Sequence, residues 1–286
     1  MKFHNNHLAS IDYSLAVPYI TFPALSAIPY IRHGFSTRLG GVSQGIFESM
    51  NLGSDSSTDT DSPENIRINF ERISSSIGID PHSIVVSKQV HKTNIRPVTL
   101  RDRGKGLYAP RDYDEVDGLI TNQPGITLVT KYADCVPLFF VDTRNKAIGL
   151  THSGWRGTVS KIGRITVQEM KKYYGTEPED LTAIIGPSIC GDCYEVGNEV
   201  AQTFEDAFAN NGYNMNKILN KNRNGSFQLD LWEANRGILR EAGLREDRIH
   251  VSSVCTACNA ELLFSHRKTG GKRGSLAAFL AITEAG

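Results

Sequence analysis

The sequence predicts an α/β fold of the mixed α+β kind, one domain (1–286) in which mixed β-sheets pack against helices. Three observations carry that expectation. Short, almost wholly apolar runs of strand length alternate with capped stretches of helical periodicity. Two of the runs are joined by a turn too short for a crossover helix, so at least one antiparallel pair lies among the helices. No internal repeat or low-complexity linker divides the 286 residues, a length between one large domain and two ordinary ones.

Composition narrows the function classes. Hydrophobic residues make up 40% and charged residues 22%, the balance of a soluble globular protein with a sizeable core. Lys plus Arg equals Asp plus Glu at 31 each, so nothing points to nucleic acid or an anionic membrane as partner. The N-terminus MKFHNNHLASIDYSLAVPYITF has no long apolar run behind a basic start, and no stretch approaches a membrane span. Five cysteines is an odd count, which favours reduced thiols and a cytoplasmic address.

In chain order, residues 1–30 read as a peripheral segment with an edge strand or two. Glycines at 40, 41, 45 and 53 then permit tight turns that would bring Ser36, Thr37 and Arg38 near a bound anion. An ordinary glycine-rich connection with a surface arginine is the alternative. Ser62 to Gly78 is a helix: Ser62 caps it, Pro63 suits its first position, Gly78 stops it, and Ile66, Phe70, Ile73 and Ile77 form one stripe. Ser83 to Val90 reads as a strand ending at His91, a histidine that pattern alone leaves structural or exposed. Arg101 to Asp117 is charged and loop-like, a candidate mobile flap. Gly125 to Thr130 is another strand.

The stretch Lys131 to Gly157 reads as a hairpin. Pro137–Asp142 and Ala147–Thr151 are apolar, with the turn-like Thr143-Arg144-Asn145-Lys146 between them. Pairing Asp142 with Ala147 sets His152 opposite Pro137, with Cys135 one diagonal step beyond on the same face. Diagonal neighbours lie roughly 7–8 Å apart, a gap that a thiolate and an imidazole can bridge through one metal ion. A buried cysteine and a hydrogen-bonded strand-end histidine is the other reading. After His152, Ser153-Gly154-Trp155-Arg156-Gly157 opens a helix with Val159, Ile162, Thr166, Met170 and Tyr173 on one side. Its N-terminus and Arg156 suit a phosphate.

Further on, Thr182–Ile185 is a strand, and a helix from Gly197 to about Ala209 faces Val200, Phe204, Ala207 and Phe208 inward. Residues 220–226 form a polar loop. Asp230 caps a helix to Ala242, with Glu233 completing a capping box and Gly243 stopping it. Ile249–Val254 and Leu276–Ile282 are strands. Cys190-x-x-Cys193 and Cys255-x-x-Cys258 invite a four-thiolate zinc site. The gap between the pairs far exceeds the usual ~15–20 residues, so these thiols are expected to be structural.

Several stretches together carry a resemblance: HGFSTRLGGVSQGIFESMNLG, QVH at 89–91, DGLIT at 117–121, ADCVPLFFVD, HSGWRG, IGPSICGDCYEVG, LDLWEANRGIL and CTAC…LFSHRKTGGKRG, in this order. The chain resembles, from about residue 30 onward, the YfiH-type family long labelled laccase-domain or polyphenol oxidase. Its members are described as purine nucleoside phosphorylases with adenosine deaminase activity. The resemblance implies a YfiH-like fold and a zinc ion, copper being the alternative, held by His91, Cys135 and His152. It also implies that Arg38 contacts substrate or phosphate, with Ser36 beside it, and that Asp134 acts as general acid–base or supports the ligand cysteine. Purine nucleosides and phosphate would be the partners, with adenosine, inosine and methylthioadenosine as candidates. The chain departs from the family pattern at Lys92, where many members have glycine, and at the Cys190–Cys193 form.

Three rival readings stand beside this one. A cysteine hydrolase or amidase would use Cys135 as nucleophile and His152 as base. A copper polyphenol oxidase would need more histidine ligands than eight histidines without an H-x-H pair supply. A non-enzymatic binding factor would use zinc as a staple.

Overall fold

The apolar runs are unbroken because the strands they form are covered on both faces. The computed structural model describes residues 5–53, 60–209 and 212–283. In chain order its strands are β1 (Ser10–Ile11), β2 (Tyr19–Thr21), β3 (Ile31–Ser36), β4 (Ile84–Val86), β5 (Ile95–Pro97), β6 (Gly118–Thr121) and β7 (Ile126–Tyr132). There follow β8 (Val136–Asp142), β9 (Ala147–Ser153), β10 (Leu181–Ile185), β11 (Glu195–Val196), β12 (Leu219–Lys221), β13 (Phe227–Leu229), β14 (Ile249–Val251) and β15 (Leu276–Ile282). The helices are α1 (Pro23–Ser26), α2 (Pro63–Ile77), α3 (Trp155–Val159) and α4 (Ile162–Tyr174). They continue with α5 (Asn198–Phe208), α6 (Met215–Ile218), α7 (Leu231–Glu241) and α8 (His266–Thr269).

Among the described residues two six-stranded mixed sheets form, ordered β1-β2-β3-β15-β7-β4 and β14-β10-β8-β9-β6-β5, with a small third sheet β11-β13-β12. Alternation along each strand divides its side chains between two cores. Phe35, Leu128 and Leu280 of the first sheet meet Leu119, Phe139, Leu150 and Ile184 of the second. The outer face of the first sheet, with Val129, Ala277 and Phe279, packs on Ile66, Phe70, Ile73 and Ile77 of α2. The outer face of the second, with Leu138, Phe140 and Ile185, packs on Met170 of α4, Phe204 and Phe208 of α5, and Ile238 of α7. The fold is therefore a mixed α+β arrangement in four layers: helix, sheet, sheet, helices. Full burial of each such side chain contributes ~1.5–3 kcal/mol.

Several local expectations change. Residues 5–30 do supply edge strands, but Ala9, Ile11, Ile20, Phe22 and Leu25 are buried in the central core, so the segment is not peripheral to it. The strand expected over Ser83–Val90 is only Ile84–Val86, preceded by a 3₁₀ turn. The helix after Gly154 is two helices, because Lys161 adopts a left-handed backbone (φ 54°) between α3 and α4. Restarting at Ile162 rotates the stripe, so Tyr174 packs inward while Tyr173 stays 48% exposed. Residues 220 and 221 belong to β12, which pairs with β13 in a hairpin. Asp230 caps α7 by accepting from the Glu233 N–H, a one-sided cap.

The stretch 101–117 is tied down, not a free flap, because its charges pair with one another. Lys105 Nζ donates to Asp102 and Asp112, both at 2.8 Å, while Tyr113 Oη and Arg111 Nε donate to the Val86 carbonyl. No helix among the described residues is long and apolar enough to cross a membrane.

One buried histidine couples this fold to pH. His33 on β3 accepts the Phe22 N–H at Nε2 (2.9 Å), and burial lowers its pKa from 6.5 to about 4. The unfolded chain thus binds a proton that the folded chain rejects between those values. Stability from this group is complete above pH 6.5 and is lost as pH falls toward 4. Urea unfolding at pH 5 should show about 2 kcal/mol less stability from this source than at pH 7. His33→Gln should flatten that difference, and an unchanged pH dependence would refute the assignment.

Candidate metal centre and cleft

The site forms where the chain passes from one sheet to the other. The loop between β4 and β5 makes that passage and carries His91; the turn between β7 and β8 makes it again and carries Cys135. His152 sits on β9 opposite Pro137, in the register that pairs Asp142 with Ala147. The ligand atoms of His91, Cys135 and His152 all lie within 4.8 Å of one another, and Cys135 Sγ is 4.0 Å from His91 Nε2.

Both turns are held in unusual backbone conformations by specific bonds. His91 (φ 62°) and Asp134 (φ 90°) are left-handed non-glycine residues, a cost of order 1–3 kcal/mol each that surrounding structure must offset. At His91 the offset comes from Asp117, whose carboxylate accepts the N–H groups of Val90, His91 and Lys92 at 2.9–3.1 Å. Gln89 adds two bonds to the Lys131 backbone, a side-chain substitute for a missing ladder rung. At Asp134, Thr256 Oγ1 donates to one carboxylate oxygen (2.6 Å) and the Arg267 N–H to the other (2.7 Å). The Asp134 carbonyl accepts from the Ile189 N–H.

Asp117 also orders the second histidine. Its Oδ1 lies 2.9 Å from His152 Nδ1, and its carbonyl accepts the His152 N–H at 2.7 Å. A carboxylate only accepts, so Nδ1 donates and Nε2 is left as the ligand atom, the carboxylate–histidine pairing common behind metal sites. Burial opposes ionisation of Asp117, but the His152 ring and the backbone donors outweigh it and hold the carboxyl below its ordinary range. Burial likewise opposes the Cys135 thiolate, and the charge and hydrogen bond of His152, with His91, bring its pKa down to about 6. His152 is pushed up to about 9: burial works against its charge, and Cys135 and Asp117 prevail.

The residues fit a metal ion. Two imidazoles and a thiolate are the donor set of a zinc site with one open position. Opposite them the backbone leaves room: a Cβ on Gly154 would lie 3.0 Å from His91 Cδ2, 3.1 Å from Cys135 Sγ and 3.7 Å from His152 Cε1. A glycine in HSGWRG thus keeps the space between the three donors clear.

The three donors lie in a cleft of about 600 Å³, also lined by Lys88, Arg111, Asp134, Trp155, Arg156, Tyr194 and Arg267. Arg156 stacks over the Trp155 ring at 4.3 Å. Ser36 and Arg38 are placed elsewhere. Ser36 is fully buried and accepts the Ala277 N–H, while Arg38 donates to the Glu48 and Ala260 carbonyls and lies 4.7 Å over Phe264. Neither lines the cleft. Lys92 forms an exposed pair with Glu115 (2.6 Å). Asp117 is the site residue that sequence reasoning missed; its signal is the first letter of DGLIT.

Comparison with known proteins gives the chain a family. The family model described as multi-copper polyphenol oxidoreductase laccase matches residues 32–283. The purine nucleoside phosphorylase YlmD of Bacillus subtilis is 39% identical over 256 residues, 88% of each chain. An adenosine deaminase from an unknown prokaryotic organism is 35% identical over 200 residues, 69% of this chain and 74% of that one. The crystal structure of the hypothetical protein YfiH of Bacillus licheniformis superposes with TM-score 0.86 at 31% identity, covering 96% of this chain and 99% of that one.

Asp117→Asn should weaken zinc binding by roughly 10–100-fold, measured by competition with a chromophoric chelator. Gly154→Ala, whose methyl crowds His91 and Cys135, should weaken it as well. Unchanged affinity in both would remove Asp117 and Gly154 from the site.

Proposed function

Because the chain belongs to the family of the multi-copper polyphenol oxidoreductase laccase model, we propose that it is a purine nucleoside phosphorylase. It would cleave adenosine or inosine, with methylthioadenosine as a further candidate, to free base and ribose 1-phosphate. Adenosine deamination is the side activity proposed for the same cleft, on the strength of the deaminase relative. The observation that carries the reading is the three-donor centre in a cleft bordered by cations.

Zinc held by His91, Cys135 and His152 would supply a Lewis acid with an open position. Asp117 keeps His152 in one tautomer and fixes the His91 turn. Phosphorolysis needs a phosphate dianion against the anomeric carbon, and Arg156 and Arg267 on the cleft wall suit it. Trp155 and Tyr194 offer aromatic faces to a purine. Asp134, with both oxygens occupied, supports Cys135 and is not a base in this reading. Arg38 and Ser36, bonded elsewhere, have no part in it. The five free thiols suit a reducing, cytoplasmic setting.

One observation favours a second reading. A half-buried thiolate beside an imidazolium is the nucleophile–base pair of a cysteine hydrolase. The third donor, His91 at 4.0 Å from the sulfur, weighs for the metal. The copper oxidase reading has little support: among the described residues this is the one histidine-containing cluster of three or more donors.

Purified protein incubated with adenosine or inosine, with and without phosphate, should release free base and ribose 1-phosphate only with phosphate. Inosine from adenosine without phosphate would add the deaminase. Cys135→Ala and His152→Ala should each abolish turnover while the protein stays folded. No nucleoside turnover by zinc-loaded enzyme would overturn the proposal.

A further inference from the structure

The four remaining cysteines form a cluster that the nucleoside reading does not use. Cys190, Cys193, Cys255 and Cys258 offer four sulfur atoms, all within 4.8 Å of one another. The separation expected between sulfurs around one tetrahedral zinc is about 3.8 Å, from Zn–S bonds of ~2.3 Å. Cys193 Sγ and Cys258 Sγ lie 3.4 Å apart, too far for a disulfide bond and close for two unlinked thiols.

Topology explains how motifs so far apart in sequence converge. β10 and β14 are parallel neighbours, with Ile185 beside Val251 at their ends. Cys190 follows the first end and Cys255 the second. The extensions stay in step: Ser188 N–H donates to the Val254 carbonyl, and Thr256 N–H to the Ser188 carbonyl. Everything between the two C-x-x-C motifs leaves this edge and returns to it.

The backbone around the cluster is arranged for thiolates. The N–H groups of Cys190 and Cys258 both point at Cys255 Sγ, at 3.3 and 3.4 Å. Amide donors on a sulfur stabilise its negative charge, and the Cys258 bond closes the Cys255-x-x-Cys258 turn around it. Cys255 is buried, Cys190 and Cys193 are half-buried, and Cys258 is exposed, so the cluster sits at the surface with a path for an ion.

We propose that these four cysteines hold a second metal ion, a structural zinc in a closed tetrathiolate site, separate from the three-donor centre. Four protein ligands leave no open position, so this ion would be structural. Zinc uptake would release the protons of those thiols that enter as S–H. The clip also has a place to act: Ile189 and Thr256, each one residue from a ligand, both bond Asp134. It would fix the loops that hold the residue before Cys135, and so position one wall of the cleft.

Metal content of the full chain, purified under reducing conditions, tests this independently of any nucleoside activity. Wild type should carry two zinc ions per chain by elemental mass spectrometry. His91→Ala/His152→Ala should retain one, and cobalt(II) replacing it should give the intense near-ultraviolet thiolate-to-metal bands of a tetrathiolate. Cys193→Ser/Cys258→Ser should lose one zinc from the wild-type count, and chelation of the histidine double variant should lower its Tm. If the histidine double variant binds no zinc and no cobalt, the proposal fails without reference to the cysteine variants. A mass 2 Da below the reduced chain with no metal would replace the site by a disulfide. Iron at stoichiometry, with visible absorption, would overturn zinc as the ion.

Discussion

A single buried carboxylate sets the geometry on which the candidate centre depends. Asp117 begins the turn into β6, is fully buried, and touches both histidine ligands' chain segments at once. It gathers three successive N–H groups around His91 and pins Nδ1 of His152. An ionised group so deeply buried is costly unless every lone pair is met, and here the donors that meet it are the ones the site must orient. The electrostatic cost and the geometric need have the same solution.

The two-sheet sandwich supplies what Asp117 cannot. Passing from sheet to sheet requires irregular backbone, and irregular backbone is where a chain can present ligands in directions that a strand forbids. His91 and Cys135 both occupy such passages, while His152 stays on regular strand as a fixed reference. The left-handed conformations at His91 and Asp134 are tolerable because side-chain bonds from 26 to 133 residues away hold them.

What was legible in the sequence was local. The hairpin register through Asp142 and Ala147, the helix from Ser62 to Gly78 and the strand Leu276–Ile282 follow from period, caps and turn chemistry within a short window. The three-donor cluster needed the hairpin for Cys135 and His152, and family resemblance for His91. Asp117 showed in the sequence only as the first letter of DGLIT: its partners are distant in sequence, and a lone Asp before a glycine reads as a turn. The convergence of the cysteine pairs was hidden for a related reason: their spacing breaks the zinc-ribbon rule, and the parallel pairing of β10 with β14 brings them together. Arg38 and Ser36 lie away from the cleft. A glycine-rich loop behind an arginine suggested an anion, yet Arg38 Nε and Nη1 donate to the carbonyls of Glu48 and Ala260, outside the cleft.

The position of β15 has a consequence for biosynthesis. It lies between β3 and β7, so the first sheet stays split until residues 276–282 have left the ribosome. His91, Cys135 and His152 emerge long before that, on a nascent chain whose sandwich cannot yet close. Their fixed arrangement waits for a late strand to complete the scaffold. Vectorial synthesis thus orders the events: emergence of β15 first, sheet closure second, and a rigid donor set last.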